Sequence, residues 1–245
     1  MIMKFHVFDI MKCNNMFKTN LRCINFSLIF VLYFTVYKCF TQNNFNTLGE
    51  SSLYIKHKFS EQYNFDFIFR SRYFLYENNT FLYQQQQVDV FHLSHFKLNT
   101  YSKIGLGLYY RNRDWFKSGN DEFRFIEEYN ISKQKANAKL KHRVRLEQRI
   151  LSKHIIYRQR YRLSVNTPLN NTLDIGNTYL VNSIEGLLSV NKIAKPETDI
   201  RISSQIGWQI AKKIKFQTGL EHRLEAFNLT AKNNLFVLTS ALFTI

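Results

Sequence analysis

Glycine and proline are scarce in this 245-residue chain, with 8 and 2 copies, and its three cysteines all lie before residue 40, at Cys13, Cys23 and Cys39. So little glycine leaves no glycine-rich phosphate loop of either common type, and turns must rest on Asn, Asp, Ser and Lys. Cysteine confined to one end excludes a disulfide framework or a Cys–His zinc site in the rest of the chain. The seven histidines show no i, i+4 pair on a helix, so no metal site and no cofactor is predicted. No apolar run reaches the length of a spanning helix, and no convincing amphipathic helix occurs. Mean hydropathy is −0.30. A water-soluble protein has that average, and so does a membrane barrel, because half of each of its strands faces water.

The longest apolar block, Ile24 to Tyr37, follows Lys18 and Arg22. A basic segment followed by an apolar block of this length predicts a secretory signal peptide over residues 1–41, starting at Met1 or Met16 and cut before Gln42. Two other readings stand beside it: a lipoprotein with Cys39 lipidated, which Lys38 fits poorly, and a retained membrane anchor. Removing residues 1–41 takes five of 34 basic and one of 18 acidic residues, leaving a net +12 and no cysteine. An exported domain without disulfides needs another means of support, and the closed ladder of a barrel is one.

From residue 42 onward the code is alternation. Lys139, Lys141, Arg143, Arg145, Glu147 and Arg149 occupy every second position, with Leu140, His142, Val144, Leu146, Gln148 and Ile150 between them. The pattern resumes after Ser152-Lys153, with Arg158, Arg160 and Arg162 on one face and Tyr157, Gln159, Tyr161 and Leu163 on the other. Period two means strands. Ile104, Leu106 and Leu108 against Lys103, Gly105 and Gly107 repeat the code, as do Ile200, Ile202 and Ile206 against Arg201, Ser203 and Gln205. So do Phe216, Leu220 and Leu224 against Gln217, Glu221, Arg223 and Glu225. Eleven extended segments follow one another over about residues 51–245, near the length a tilted strand needs to cross a bilayer and longer than the five or six residues of an average soluble strand. The fold class is therefore all-β: an antiparallel transmembrane β-barrel of about 10–12 strands over residues 42–245. Because closed single-chain bacterial barrels have even strand numbers, twelve is favoured over ten. The region 81–98, where neither face is cleanly apolar, is the segment most open to revision, and the Gln84–Gln87 run reads as a connection. Lys133–Asn137 and Asn166–Asn177 also read as connections.

Glu122-Phe123-Arg124, then His142-Arg143-Val144-Arg145-Leu146-Glu147-Gln148-Arg149, then Tyr157-Arg158-Gln159-Arg160-Tyr161-Arg162-Leu163 and Pro168-Leu169 resemble an exported family catalogued as domain of unknown function 2490. Glu185, Glu221 and the terminal segment from Leu235 extend the likeness over about residues 48–245. The resemblance implies an outer-membrane barrel and carries no activity. The chain ends inside the last segment at Ile245, with its aromatic at Phe243, two residues before the terminal position where such barrels place theirs.

Alternation turns Arg143, Arg145, Glu147, Arg149, Arg158, Arg160, Arg162, Glu185, Glu221, Arg223 and Glu225 toward one interior, with Glu122 and Glu128 as further partners. In a narrow barrel these groups interleave as guanidinium–carboxylate pairs that fix register, or leave a cationic path for small anions. The expected role is structural or that of a narrow passive channel in the outer membrane of a Gram-negative bacterium. Expected partners are outer-membrane lipids, lipopolysaccharide and the barrel-assembly machinery, with the protein a monomer and no nucleic acid bound. A pI near 9.8 suits nucleic acid, but an export signal argues against it. A lipid-acting enzyme using the neighbouring Ser152 and His154, and a soluble periplasmic all-β binding protein, are the alternatives. No catalytic residue is assigned.

Overall fold

The computed structural model describes residues 45–77, 79–113, 121–135, 138–169 and 176–245. The signal-peptide, cleavage-site and Cys39 expectations lie outside the described residues. Among the described residues eleven strands follow one another without a helix: β1 (Phe45–Lys58), β2 (Tyr63–Glu77), β3 (Thr80–Lys97), β4 (Ser102–Arg113), β5 (Glu122–Lys135), β6 (Ala138–Leu151), β7 (Ile155–Pro168), β8 (Thr178–Val190), β9 (Glu197–Ala211), β10 (Ile214–Glu225) and β11 (Lys232–Thr244). Each pairs antiparallel with its chain neighbours, and the sheet closes into a barrel between β1 and β11.

Eleven strands lie within the expected 10–12, and the closure corrects the even number favoured there and the all-antiparallel pairing. Ten or twelve strands would let an all-antiparallel sheet close, whereas an odd number brings the first and last strands together in parallel. Here β1 and β11 pair in parallel from Phe45↔Asn233 to Lys56↔Thr244. This seam is as long as the antiparallel ladders, so no edge is left unpaired. The chain end is tied into it: Ile245 N–H donates to the Lys56 carbonyl at 2.9 Å. The Gln84–Gln87 run is no connection. It lies within β3, the longest strand at 18 residues. Register shifts against β2 at Arg72/Tyr73 and Phe74/Tyr76 break the period there, which is why neither face read as apolar. Similarly, Lys133–Lys135 finish β5 and Asn166–Pro168 finish β7. Among the connections, Asn79 takes a left-handed conformation (φ 63) in the β2–β3 turn, which asparagine tolerates.

Burial is inverted relative to a soluble protein. Among the described residues the buried set holds ten hydrophobic side chains and 23 polar or charged ones. Large apolar side chains instead stand exposed on ten of the eleven strands, including Phe67, Leu106, Phe125, Val144, Tyr161, Ile202 and Leu220. Soluble monomers rarely expose more than a few hundred Å² of contiguous apolar surface. These residues form an apolar belt on the outer face of the barrel, from β2 round to β11.

The interior has one greasy side. Ile68, Phe91, Leu93, Tyr109 and Ile126, from β2 to β5, pack together inside the barrel against Tyr54. Gly105 faces inward on β4, where an added Cβ would come 2.8 Å from both the His95 ring and the Glu128 side chain. Its bareness makes room for that pair.

Candidate functional site

The inward faces of β1 to β10 carry an almost continuous network of charge. On β5 and β6, Glu122 receives both forks of Arg149 and the Nε–H of Arg124, whose Nη1 reaches Glu147 at 3.0 Å. Glu147 also accepts from Arg160 at 2.8 Å, and Arg160 donates its other terminal nitrogen to Glu185 at 2.7 Å. Arg143 meets Glu185 at 2.8 Å, while Arg145 meets Glu128 at 2.7 Å. His95 completes the chain on Glu128, also at 2.8 Å. A second cluster joins β1, β2 and β10: Glu50 lies 2.7 Å from Arg72, 3.1 Å from Arg223 and 3.3 Å from Arg70, and Arg223 also holds Glu221. Buried charges persist only when paired and hydrogen-bonded, and the planar guanidinium fork meets a carboxylate with two parallel bonds. Several guanidiniums also lie over lumenal rings: Arg124 at 4.1 Å from the Tyr109 centroid, Arg223 at 3.6 Å from that of Phe236.

The remaining sequence-predicted residues sit on the same wall with different partners. Arg158 donates to the Ser189 hydroxyl at 2.7 Å and Arg162 to that of Ser183 at 2.8 Å; among the described residues neither forms an ion pair with a carboxylate. Glu225 accepts from the Asn234 amide at 3.2 Å, near the rim. Alternation alone did not bring in Glu50, Arg70, Arg72, Asp89 and Arg111. Arg70-Ser71-Arg72 carried the signal, but Ile68 and Phe69 on opposite faces of the same strand masked it. Ser152 and His154, the residues of the lipid-enzyme alternative, share no side-chain hydrogen bond, and His142 bonds the Tyr161 hydroxyl at 2.7 Å on the outer face.

Two lumenal compartments adjoin. One, of about 900 Å³, extends to the rim formed by the β8–β9 and β10–β11 connections. Twelve arginines and two lysines line it, against the carboxylates of Glu197, Asp199 and Glu225. The other, of about 480 Å³, extends to the rim that holds the end of β11. Tyr54, Arg70, Arg143 and Arg162 line both and form the waist between them. The wall of the larger compartment is thus mainly cationic: the arginines line it, while the carboxylates of Glu122, Glu147 and Glu185 that hold several of them do not.

Comparison with curated proteins and with solved structures gives no match. A family model does match, over residues 51–234, and by it this closed barrel with its charge-filled interior belongs to the family described as Protein of unknown function (DUF2490).

Proposed function

We propose that this protein is an outer-membrane β-barrel of a Gram-negative bacterium, held by acyl chains and lipopolysaccharide around its apolar belt and giving small anionic solutes a narrow passive path. The observation that carries the reading is the wall of the larger compartment, where guanidinium groups outnumber carboxylates several-fold. Rings of basic side chains select anions in pores, since an ion leaving bulk water needs compensating charge. Eleven strands lie between the eight that side chains just fill and the 16–18 that leave an open channel, so a slender bore is expected. The exposed belt supports the bilayer as solvent, and the last strand supplies what the assembly machinery would engage. No chemical step is assigned to it, and a single copy suffices for the path.

Planar bilayers test the reading. In a salt gradient the reversal potential should lie on the chloride side, and exchanging Arg158 and Arg201 for glutamate should move it toward the cation side. A cation-selective conductance, or none from protein that has inserted, overturns the path. Recovery of the native protein in the soluble periplasmic fraction overturns the membrane reading as well.

A further inference from the structure

Four lysines gather in the smaller compartment. Lys56 on β1, Lys139 and Lys141 on β6, and Lys215 on β10 all line the 480 Å³ compartment. Lys103 points inward at the same end of β4, where it feels the carboxylates of Asp66 and Glu128 and, against them, the charges of Lys56 and Lys139. The charge of Lys56 also reaches Lys141 and Lys215. Among the described residues, none of these five ammonium groups has a carboxylate within ion-pairing distance, whereas most lumenal arginines do. Two carboxylates face the compartment, Glu50 and Glu221, and arginines already hold both. Asp66, on the Lys103 side, lies 3.9 Å from His95. Neutral hydrogen-bonding groups complete the wall, among them Ser164, Asn166 and Gln217.

We infer that this lysine-lined compartment binds a soluble, multiply charged oxyanion of the phosphate or pyrophosphate class. Like charges gathered in a confined space repel unless enough counter-charge sits among them; at this end Asp66 and Glu128 act on Lys103, and Glu128 on Lys141, but Glu128 is held by Arg145 and His95, which leaves too little to offset five ammonium groups. Ammonium groups carry three freely rotating donors on flexible stems. Lysines converging from three or four strands therefore suit an anion whose acceptor oxygens point in every direction. A single chloride could not satisfy them all. The inference deepens the anion-path reading and rests on it for the ligand's route, but binding itself requires only the folded barrel.

The test is titration calorimetry of the full-length protein in detergent with sodium pyrophosphate, with glucose and sodium chloride as controls. Saturable one-to-one binding that weakens with added salt is expected. Lys139→Gln with Lys141→Gln should raise Kd about tenfold or more, and so should Lys56→Gln with Lys215→Gln on other strands. Lys153→Gln with Lys192→Gln, in connections at the opposite rim, should leave Kd unchanged. Far-ultraviolet circular dichroism establishes that each variant is folded. Absence of saturable binding by folded protein, or unchanged affinity in both rim pairs, overturns the site. Affinity confined to vesicles containing anionic lipid, with none for soluble pyrophosphate, assigns the lysines to headgroups and overturns it too. Pyrophosphate binding by a barrel that does not conduct keeps the site and removes the path. Anion-selective conduction without such binding does the reverse.

Discussion

Glu122→Ala should destabilise the barrel by about 3–5 kcal/mol, the cost of leaving buried charge uncompensated. Glu122 is 1% exposed and has four arginines around it: Arg124 and Arg149 in hydrogen-bonding contact, Arg113 at 3.4 Å and Arg111 at 3.7 Å. Removing one carboxylate makes four neighbouring guanidiniums into mutual repellers. Arg111 retains Asp89 at 3.0 Å and Arg124 retains Glu147, so the loss falls most heavily on Arg149. The check is the midpoint of urea unfolding of refolded protein, followed by tryptophan fluorescence. A double substitution, Glu122→Gln with Arg149→Gln, should recover part of the loss, because it removes both members of the tightest pair. Equal midpoints for Glu122→Ala and the unsubstituted protein would mean that the network carries no stability.

That network was half legible in the sequence. On β6 and β7 the interior is charged and the exterior apolar, so period two announces both the strands and their orientation. On β2 and β3 the interior includes Ile68, Phe91 and Leu93, apolar on both faces, and the signal fades where it is needed to find Arg70, Arg72 and Asp89. Partners distant along the chain were invisible for another reason. Glu50 and Arg223 lie 173 residues apart and meet because β1, β11 and β10 are consecutive around the barrel. Closure itself leaves no trace in the alternation of any one strand. The eleven segments could be enumerated, but an even count was favoured from a rule about antiparallel closure, and a parallel seam escapes that rule. That Lys56, Lys139, Lys141 and Lys215 gather round one compartment becomes legible only once it is known which strand ends share a rim.

The second large effect belongs to the outer face and follows from the membrane reading. If acyl chains cover the belt, an arginine placed at Leu106, midway along β4 and 59% exposed, loses its water, and the carboxylate in register with it, Glu127, stands on the same lipid face, where a charge pair does not regain the cost of desolvation. Such a substitution near the bilayer midplane should cost about 2–4 kcal/mol, and Ile206→Arg and Leu220→Arg should cost similarly. Gln205→Arg and Gln217→Arg place their charge in the lumen beside the lysines of the smaller compartment, where water and counter-ions can offset it, and should cost less. Unfolding midpoints in phospholipid vesicles, compared with those in a mild detergent, separate the two sets. One native residue sharpens the comparison. Glu127 is exposed on the outer face in the middle of β5, in register with Leu106 on one side and Leu146 on the other. Carboxylates on a lipid face are tolerated better than guanidinium or ammonium groups, but they still disfavour the bilayer. Glu127→Leu should therefore raise stability in vesicles, opposite in sign to Leu106→Arg at the paired position on β4. A belt that faces water gives the opposite pattern: Leu106→Arg becomes harmless, Glu127→Leu lowers solubility, and inner and outer arginines cease to differ.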